Sequence, residues 1–305
     1  MWQLETPVAL IIFNRPQTTE RVFKAIRQAK PPKLLAIADG PRAACPGEAE
    51  KCAAARAILN RVDWDCEVLT NFSDINLGLK KRVDSGLTWV FDMVESAIVL
   101  EDDCLPHPTF FRFCEELLER YRNNPEIMMI SGNNFQFGRS STEDSYYFSR
   151  YNLIWGWATW RRAWQLYDPT MSRWPELRES NWLEDILQES DAIKYWANIF
   201  KVNYETLENW DYAWVFTSWL YNGLTILPDV NLVCNIGFGA EATHTKTASI
   251  FANIPTEAMA FPLHHPASIQ RHELADDFTE KVVFSGNLGM VLSAIRTRRQ
   301  QPSST

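Results

Sequence analysis

The chain has 305 residues, 46% of them hydrophobic, with a formal net charge of −8 and a pI near 5.3. That length suits one large domain or two small ones, and the acidic balance argues against a nucleic-acid partner, which calls for a basic surface. No apolar run is long enough to span a membrane. The N-terminal "MWQLETPVALIIFNRP" has no basic segment ahead of its short apolar run, so it reads as a first strand and not as a signal peptide. The expectation is a cytoplasmic protein, with peripheral association at the inner face of a membrane left open.

In chain order, "PVALIIF" (7–13) is a continuous apolar run and reads as a buried strand, broken by Asn14, Arg15 and Pro16. "TTERVFKAIRQA" (18–29) reads as a helix that Thr18 can cap, with Val22, Phe23, Ile26 and Ala29 on one face. A second strand runs through Leu34–Ala38 and ends at Asp39-Gly40-Pro41. Residues 48–62 are helical, 66–72 a third strand, 79–94 a third helix, 96–103 a fourth strand, 109–122 a helix and 126–134 a fifth strand. Strand and helix patterns in alternation predict an α/β fold, a mostly parallel central sheet flanked by helices. Beyond residue 140 the chain is crowded with Trp, Tyr and Arg, is mostly helical through 191–223, and returns to strand and turn at 224–239. No linker separates the parts. A nucleotide-sugar-binding half (1–140) and an acceptor half (141–295) are expected within one unit, followed by a solvated tail, "RTRRQQPSST" (296–305).

There is no GxGxxG after the first strand and no GxxxxGK[ST] anywhere, which disfavours dinucleotide dehydrogenases and P-loop NTPases. The six cysteines are scattered and read as reduced thiols. The thirteen tryptophans are mostly core by expectation, yet such density also suits a site that stacks on sugar rings.

In open α/β sheets the ligand lies at the carboxyl ends of the strands. Those ends carry Asn14 and Arg15, then Asp39, then Asp74, Asn76 and Gly78, then Glu101, Asp102 and Asp103, then Ser131, Gly132 and Asn133. The triplet in "VLEDDC" stands out, because three adjacent acids repel one another unless a cation or donors balance them. Adjacent carboxylates after a buried strand suit Mg2+ or Mn2+, which would neutralise a diphosphate leaving group. That chemistry fits sugar transfer from a nucleoside diphosphate sugar.

Several segments together, from about residue 6 to about 250, resemble glycosyltransferases of the GT-A fold, N-acetylglucosaminyltransferase I-like and bacterial family-2-like enzymes in particular. They are "FNRP", Asp39, "NLGLKKRVDSGLTWVF" (76–91), "LEDD" (100–103) as a variant DxD motif, "WGWATWRRAW" (155–164), "NWDYAW" (209–214) and "PDVNLVCNIG" (228–237). The resemblance implies a metal-dependent, inverting transfer from a UDP-sugar to a glycan, glycolipid or other saccharide hydroxyl, of the kind used in bacterial surface polysaccharide synthesis. It puts Asn14 and Arg15 at the nucleotide, Arg15 near the diphosphate, and Asp39 on the base, uracil. Asn76 and Gly78 precede the basic residues Lys80, Lys81 and Arg82, one or more of which would face the nucleotide or phosphates, Lys81 above all. Asp102 would sit near the ribose, Asp103 would bind the metal (Mn2+ or Mg2+), and Glu101 would orient the donor. Trp155 and Gly156 would border the sugar. His244, flanked by Glu241 and Lys246, would be a second metal ligand.

An inverting transfer needs one carboxylate beside the acceptor hydroxyl on the face opposite the leaving diphosphate. Asp211 is the residue expected there, as catalytic base, since the neighbouring Trp210, Tyr212 and Trp214 would desolvate it. A helix-terminal or surface acid is its ordinary reading. Arg161 and Arg162 are either solvated or in contact with an acidic acceptor or phosphate. Two rival functions remain. A sugar nucleotidyltransferase usually has a Gly-rich phosphate loop, which "FNRPQTTE" lacks; a non-catalytic carbohydrate-binding protein has no need of the acids.

Overall fold

The computed structural model describes residues 2–139, 142–238 and 250–284. Its strands are β1 (Val8–Ile12), β2 (Lys33–Ala38), β3 (Glu67–Phe72), β4 (Ser96–Glu101), β5 (Cys104–Pro106), β6 (Ile127–Ser131), β7 (Tyr146–Ser149), β8 (Trp157–Trp160), β9 (Leu224–Pro228) and β10 (Val233–Asn235). The helices are α1 (Pro16–Ala29), α2 (Glu48–Ala57), α3 (Leu79–Met93), α4 (Thr109–Arg120), α5 (Arg161–Trp164), α6 (Trp174–Leu177), α7 (Trp182–Ile186), α8 (Ser190–Thr206), α9 (Trp210–Leu220) and α10 (Glu273–Thr279).

Among the described residues eight strands form one sheet in the order β3-β2-β1-β4-β8-β6-β9-β7, and β5 pairs with β10 in a separate ribbon. Pairs β3–β2, β2–β1, β1–β4 and β6–β9 are parallel, while β8 runs antiparallel between β4 and β6, and β7 antiparallel along β9. The mostly parallel, helix-flanked sheet expected from the sequence is therefore present. Its central strands are apolar without interruption because helices cover both faces. Val8, Leu10 and Ile12 of β1 face one core with Val22, Phe23 and Ile26 of α1 and the phenylalanines of α4. Ala9 and Ile11 face the other, with Val83, Leu87 and Val90 of α3 and Trp157, Trp210 and Trp214. A third core, made by α8 and α9 with Trp174, Trp196, Phe200, Phe216 and Trp219, accounts for much of the remaining aromatic excess.

Some boundaries differ from expectation. Helix α1 starts at Pro16, a residue preset for the first helical position; Thr18 lies inside the first turn and its hydroxyl donates to the Arg15 carbonyl at 3.2 Å. The strand expected at 96–103 ends at Glu101, so Asp102 and Asp103 form the turn into β5.

Candidate active site

The sheet winds from β1 outward to β2 and β3, then returns to place β4 on the other side of β1. The reversal opens a crevice between the carboxyl ends of β1 and β4, where ligands bind in folds of this kind. One wall is Phe13-Asn14-Arg15 and the other Glu101-Asp102-Asp103. The main-chain N–H of Phe13 donates to Asp102 Oδ2 at 3.1 Å. The Arg15 guanidinium forks across the acids, with one terminal nitrogen 2.6 Å from Asp102 Oδ1 and the other 2.8 Å from Asp103 Oδ2. The first contact is close but lies off the hydrogen-bonding direction, so Asp102 Oδ1 has no true hydrogen-bond donor. The second is a proper hydrogen bond.

These charges set one another's protonation. Burial pushes the Glu101 carboxyl well above the usual range, and Asp103, Asp102 and, more weakly, Asp211 add to it against the pull of Arg15. Burial also raises Asp102, with Arg15 opposing and Asp103 reinforcing. For Arg15 burial works against the charge, but Asp102 and Asp103 outweigh it and the guanidinium is held above its ordinary value.

The ribbon β5–β10 covers this cluster. Ile236 N–H donates to the Asp103 carbonyl at 2.8 Å. A Cβ on Gly237 would lie 2.0 Å from Asp103 Oδ2 and 2.7 Å from an Arg15 terminal nitrogen, so only glycine fits against the ion pair. Gly237 was not among the residues expected at the site, although its place in "CNIGFG" after a short strand was a usable signal.

Strand β8 brings Trp155 and Gly156 to the same edge. Its antiparallel register pairs Val99 with Trp157, so the chain just before β8 passes alongside Leu100 and Glu101. Buried Asn133 fixes this turn by accepting from Trp155 N–H at 3.0 Å, and Gly132 N–H donates to the Gly156 carbonyl at 2.7 Å. Trp157 then stacks on Trp210, rings 5.7 Å apart and 22° from parallel. That contact packs α9, whose first turn carries Asp211, against β8, the strand paired with β4.

Other expected residues have different duties. The Asp39 carboxylate accepts four N–H groups: Gly40 and Leu77 on one oxygen at 2.9 Å each, and the Asn76 amide and Gly78 on the other at 3.0 Å each. A carboxylate has about four acceptor positions, so Asp39 is filled by its own loop and holds no free oxygen for a base. It fixes the turn in which Gly78, at φ 80°, opens α3. Lys80 is buried, bonded to Asp84 at 3.1 Å and Tyr167 at 3.3 Å, and Arg82 is buried against Asn71. Lys81 is the exposed member of the three. Asn14 donates to buried Glu48 at 2.8 Å; Arg42 also grips Glu48, which pushes that carboxyl down to about 2, and Arg42 lies over the Phe13 ring at 5.6 Å.

Arg161 and Arg162 are half-buried and lie away from the acids. Because β8 is antiparallel to β4, they emerge at the opposite edge of the sheet. There Arg161 binds the Phe91 carbonyl and Glu95, and Arg162 the carbonyls of Arg122 and Tyr121. A cleft of about 570 Å³ lined by Trp89, Arg161, Trp164 and Tyr167 lies along α3, apart from the acids. His244, Glu241 and Lys246 lie outside the described residues.

A divalent ion, the cofactor implied by the resemblance, does not fit these acids as they stand. The guanidinium of Arg15 fills the point on which Asp102 and Asp103 converge. Among the described residues no three His, Cys, Asp or Glu side chains are arranged to hold one metal ion. None of the helices among the described residues is long and apolar enough to cross a membrane.

No protein-family model matches the chain, and no curated protein matches its sequence. Solved structures similar to it include a mannosyltransferase of Pyrobaculum calidifontis in complex with GDP-Man and Mn2+ (12% identity, TM-score 0.37, covering 54% of this chain and 46% of that one). Mouse xyloside xylosyltransferase 1 is similar at 12% identity and TM-score 0.35, over 70% and 81% of the two chains. The inositol-1-phosphate CTP transferase of T. maritima is similar at 9% identity and TM-score 0.31, over 55% and 76%. The chain spans less than half the length of the mannosyltransferase. The structures it resembles thus include both sugar transferases and a nucleotidyltransferase, and likeness at this level does not choose between the two.

Proposed function

We propose that the protein transfers a sugar from a nucleoside diphosphate sugar, UDP-linked, to a hydroxyl of a saccharide or glycolipid acceptor, with inversion at the anomeric carbon. One observation carries this reading: Arg15 and the three acids at the end of β4 lie at one reversal of strand order, beside the Trp155-Gly156 turn. Asp211 takes the proton of the acceptor hydroxyl. The acceptor oxygen bonds to the anomeric carbon as the bond from that carbon to the phosphate oxygen breaks. The nucleoside diphosphate leaves with the electron pair, its negative charge met by Arg15 and exposed Lys81. Asp102, held by Phe13 N–H, faces the ribose, and Glu101 orients the donor sugar beside Trp155. Asp39 acts by shaping the 76–78 loop.

The test is to incubate the protein with a panel of nucleotide sugars and saccharide acceptors and to follow nucleoside diphosphate release and the anomeric configuration of the product. Pyrophosphate release from a nucleoside triphosphate and a sugar phosphate would identify a nucleotidyltransferase instead. Absence of donor binding under all conditions would favour a carbohydrate-binding protein.

A further inference from the structure

Charge balance at the crevice supports a conclusion about the counter-cation. Asp102 is 2% exposed and Asp103 9%, and such carboxylates stay ionised only beside positive charge. Arg15 supplies it from the third residue past β1, just before α1, beside the parallel β1–β4 pair, and Gly237 closes over the Asp103 contact so tightly that a methyl group would not fit. An arginine fork bound to two carboxylates at once is a geometry that lysine or a mobile side chain does not reproduce. The guanidinium has five N–H donors, gives one hydrogen bond to Asp103 and pairs by charge with Asp102, and its side chain remains 20% exposed, leaving donors on its terminal nitrogens for phosphate oxygens.

We propose that Arg15 is the built-in cation of the acid cluster, doing for Asp102 and Asp103 what a divalent ion does elsewhere, so that the chain binds a nucleoside diphosphate without a metal. The nucleotide half of this statement rests on the sugar-transfer reading; the cation half does not.

Two measurements on chelator-treated protein test it. Titration with Mn2+, followed by calorimetry and by thermal unfolding, should show no binding and no stabilisation of the wild type. Arg15→Met, which leaves the two acids without their cation, should bind Mn2+ and unfold at a higher temperature in its presence. If that variant folds only with Mn2+, the result supports the same conclusion; if it folds under neither condition, Arg15→Lys, whose single ammonium cannot bridge both acids, should show the Mn2+ effect in weaker form. UDP titrated into the wild type should bind with affinities in chelator and in Mn2+ that agree within about twofold. A gain of about tenfold or more from Mn2+ would overturn the proposal, as would Mn2+ stabilising the wild type as much as the Arg15 variants. Should UDP bind under neither condition, the nucleotide reading falls, and the Mn2+ comparison of wild type and variants alone decides the role of Arg15.

Discussion

Gly237→Ala is the most informative single substitution at the crevice. The new methyl carbon would stand 2.0 Å from Asp103 Oδ2, whereas a carbon and an oxygen settle at about 3.3–3.6 Å. One of the two must move by more than an ångström, and the Arg15–Asp103 hydrogen bond, 2.8 Å long, does not survive that shift. Overpacking costs about 1–3 kcal/mol, and loss of a charge-assisted hydrogen bond about 1.5–3 kcal/mol. The two overlap, so about 2–4 kcal/mol is expected in all, a fall in unfolding temperature of about 4–8 °C by differential scanning calorimetry. A second background isolates the cause. In Asp103→Ala the main partner of the clash is gone, and the same glycine substitution should then cost less than about 1 kcal/mol. An unfolding temperature within about 1 °C of the parent, or an equal loss in both backgrounds, would refute the packing argument.

Asp211→Asn should keep nucleotide binding, measured by calorimetry, and lower the transfer rate by about a hundredfold or more, as removal of a general base does. Asp39→Ala leaves the N–H groups of Gly40, Leu77 and Gly78 without their acceptor; it should lower stability by about 2–4 kcal/mol and speed amide exchange at 76–82. Burial raises Asp276 to about 7 from 3.8 despite the Ser149 hydroxyl at 2.5 Å and Arg271, so the fold favours its protonated form. Its contribution is intact below pH 3.8 and is lost as pH rises through about 7; Asp276→Asn should flatten urea-unfolding stability over that range.

Much of this was legible in the sequence where a single segment carries its own signal. Strands β1, β2, β4 and β6 are unbroken apolar runs, and helices α1, α3 and α4 show one apolar face each. Strands β5, β7 and β8 are three or four residues long and exist through partners far along the chain, so local pattern does not announce them. Site residues divide in the same way. The acids at the end of β4 were visible because a buried strand stops at them. The saturation of Asp39 was not, since its donors come from residues 76–78 as well as its neighbour. Nor was the exile of Arg161 and Arg162 to the far edge, which follows from the direction of β8. Most tryptophans proved to be core: Trp157, Trp174, Trp196 and Trp214 are fully buried, and their density reflects two aromatic cores.

The alternation in β1 ties architecture to chemistry. Val8, Leu10 and Ile12 fill one core while Ala9 and Ile11 fill the other, and Arg15 follows within three residues of the strand's end. A one-residue insertion or deletion within β1 would exchange the two sets and aim the guanidinium elsewhere. Large and small apolar side chains would then meet pockets shaped for their opposites, so a chain with a misdirected Arg15 would also be poorly packed. Selection for a well-packed sheet therefore preserves the direction of that arginine, with no substrate involved.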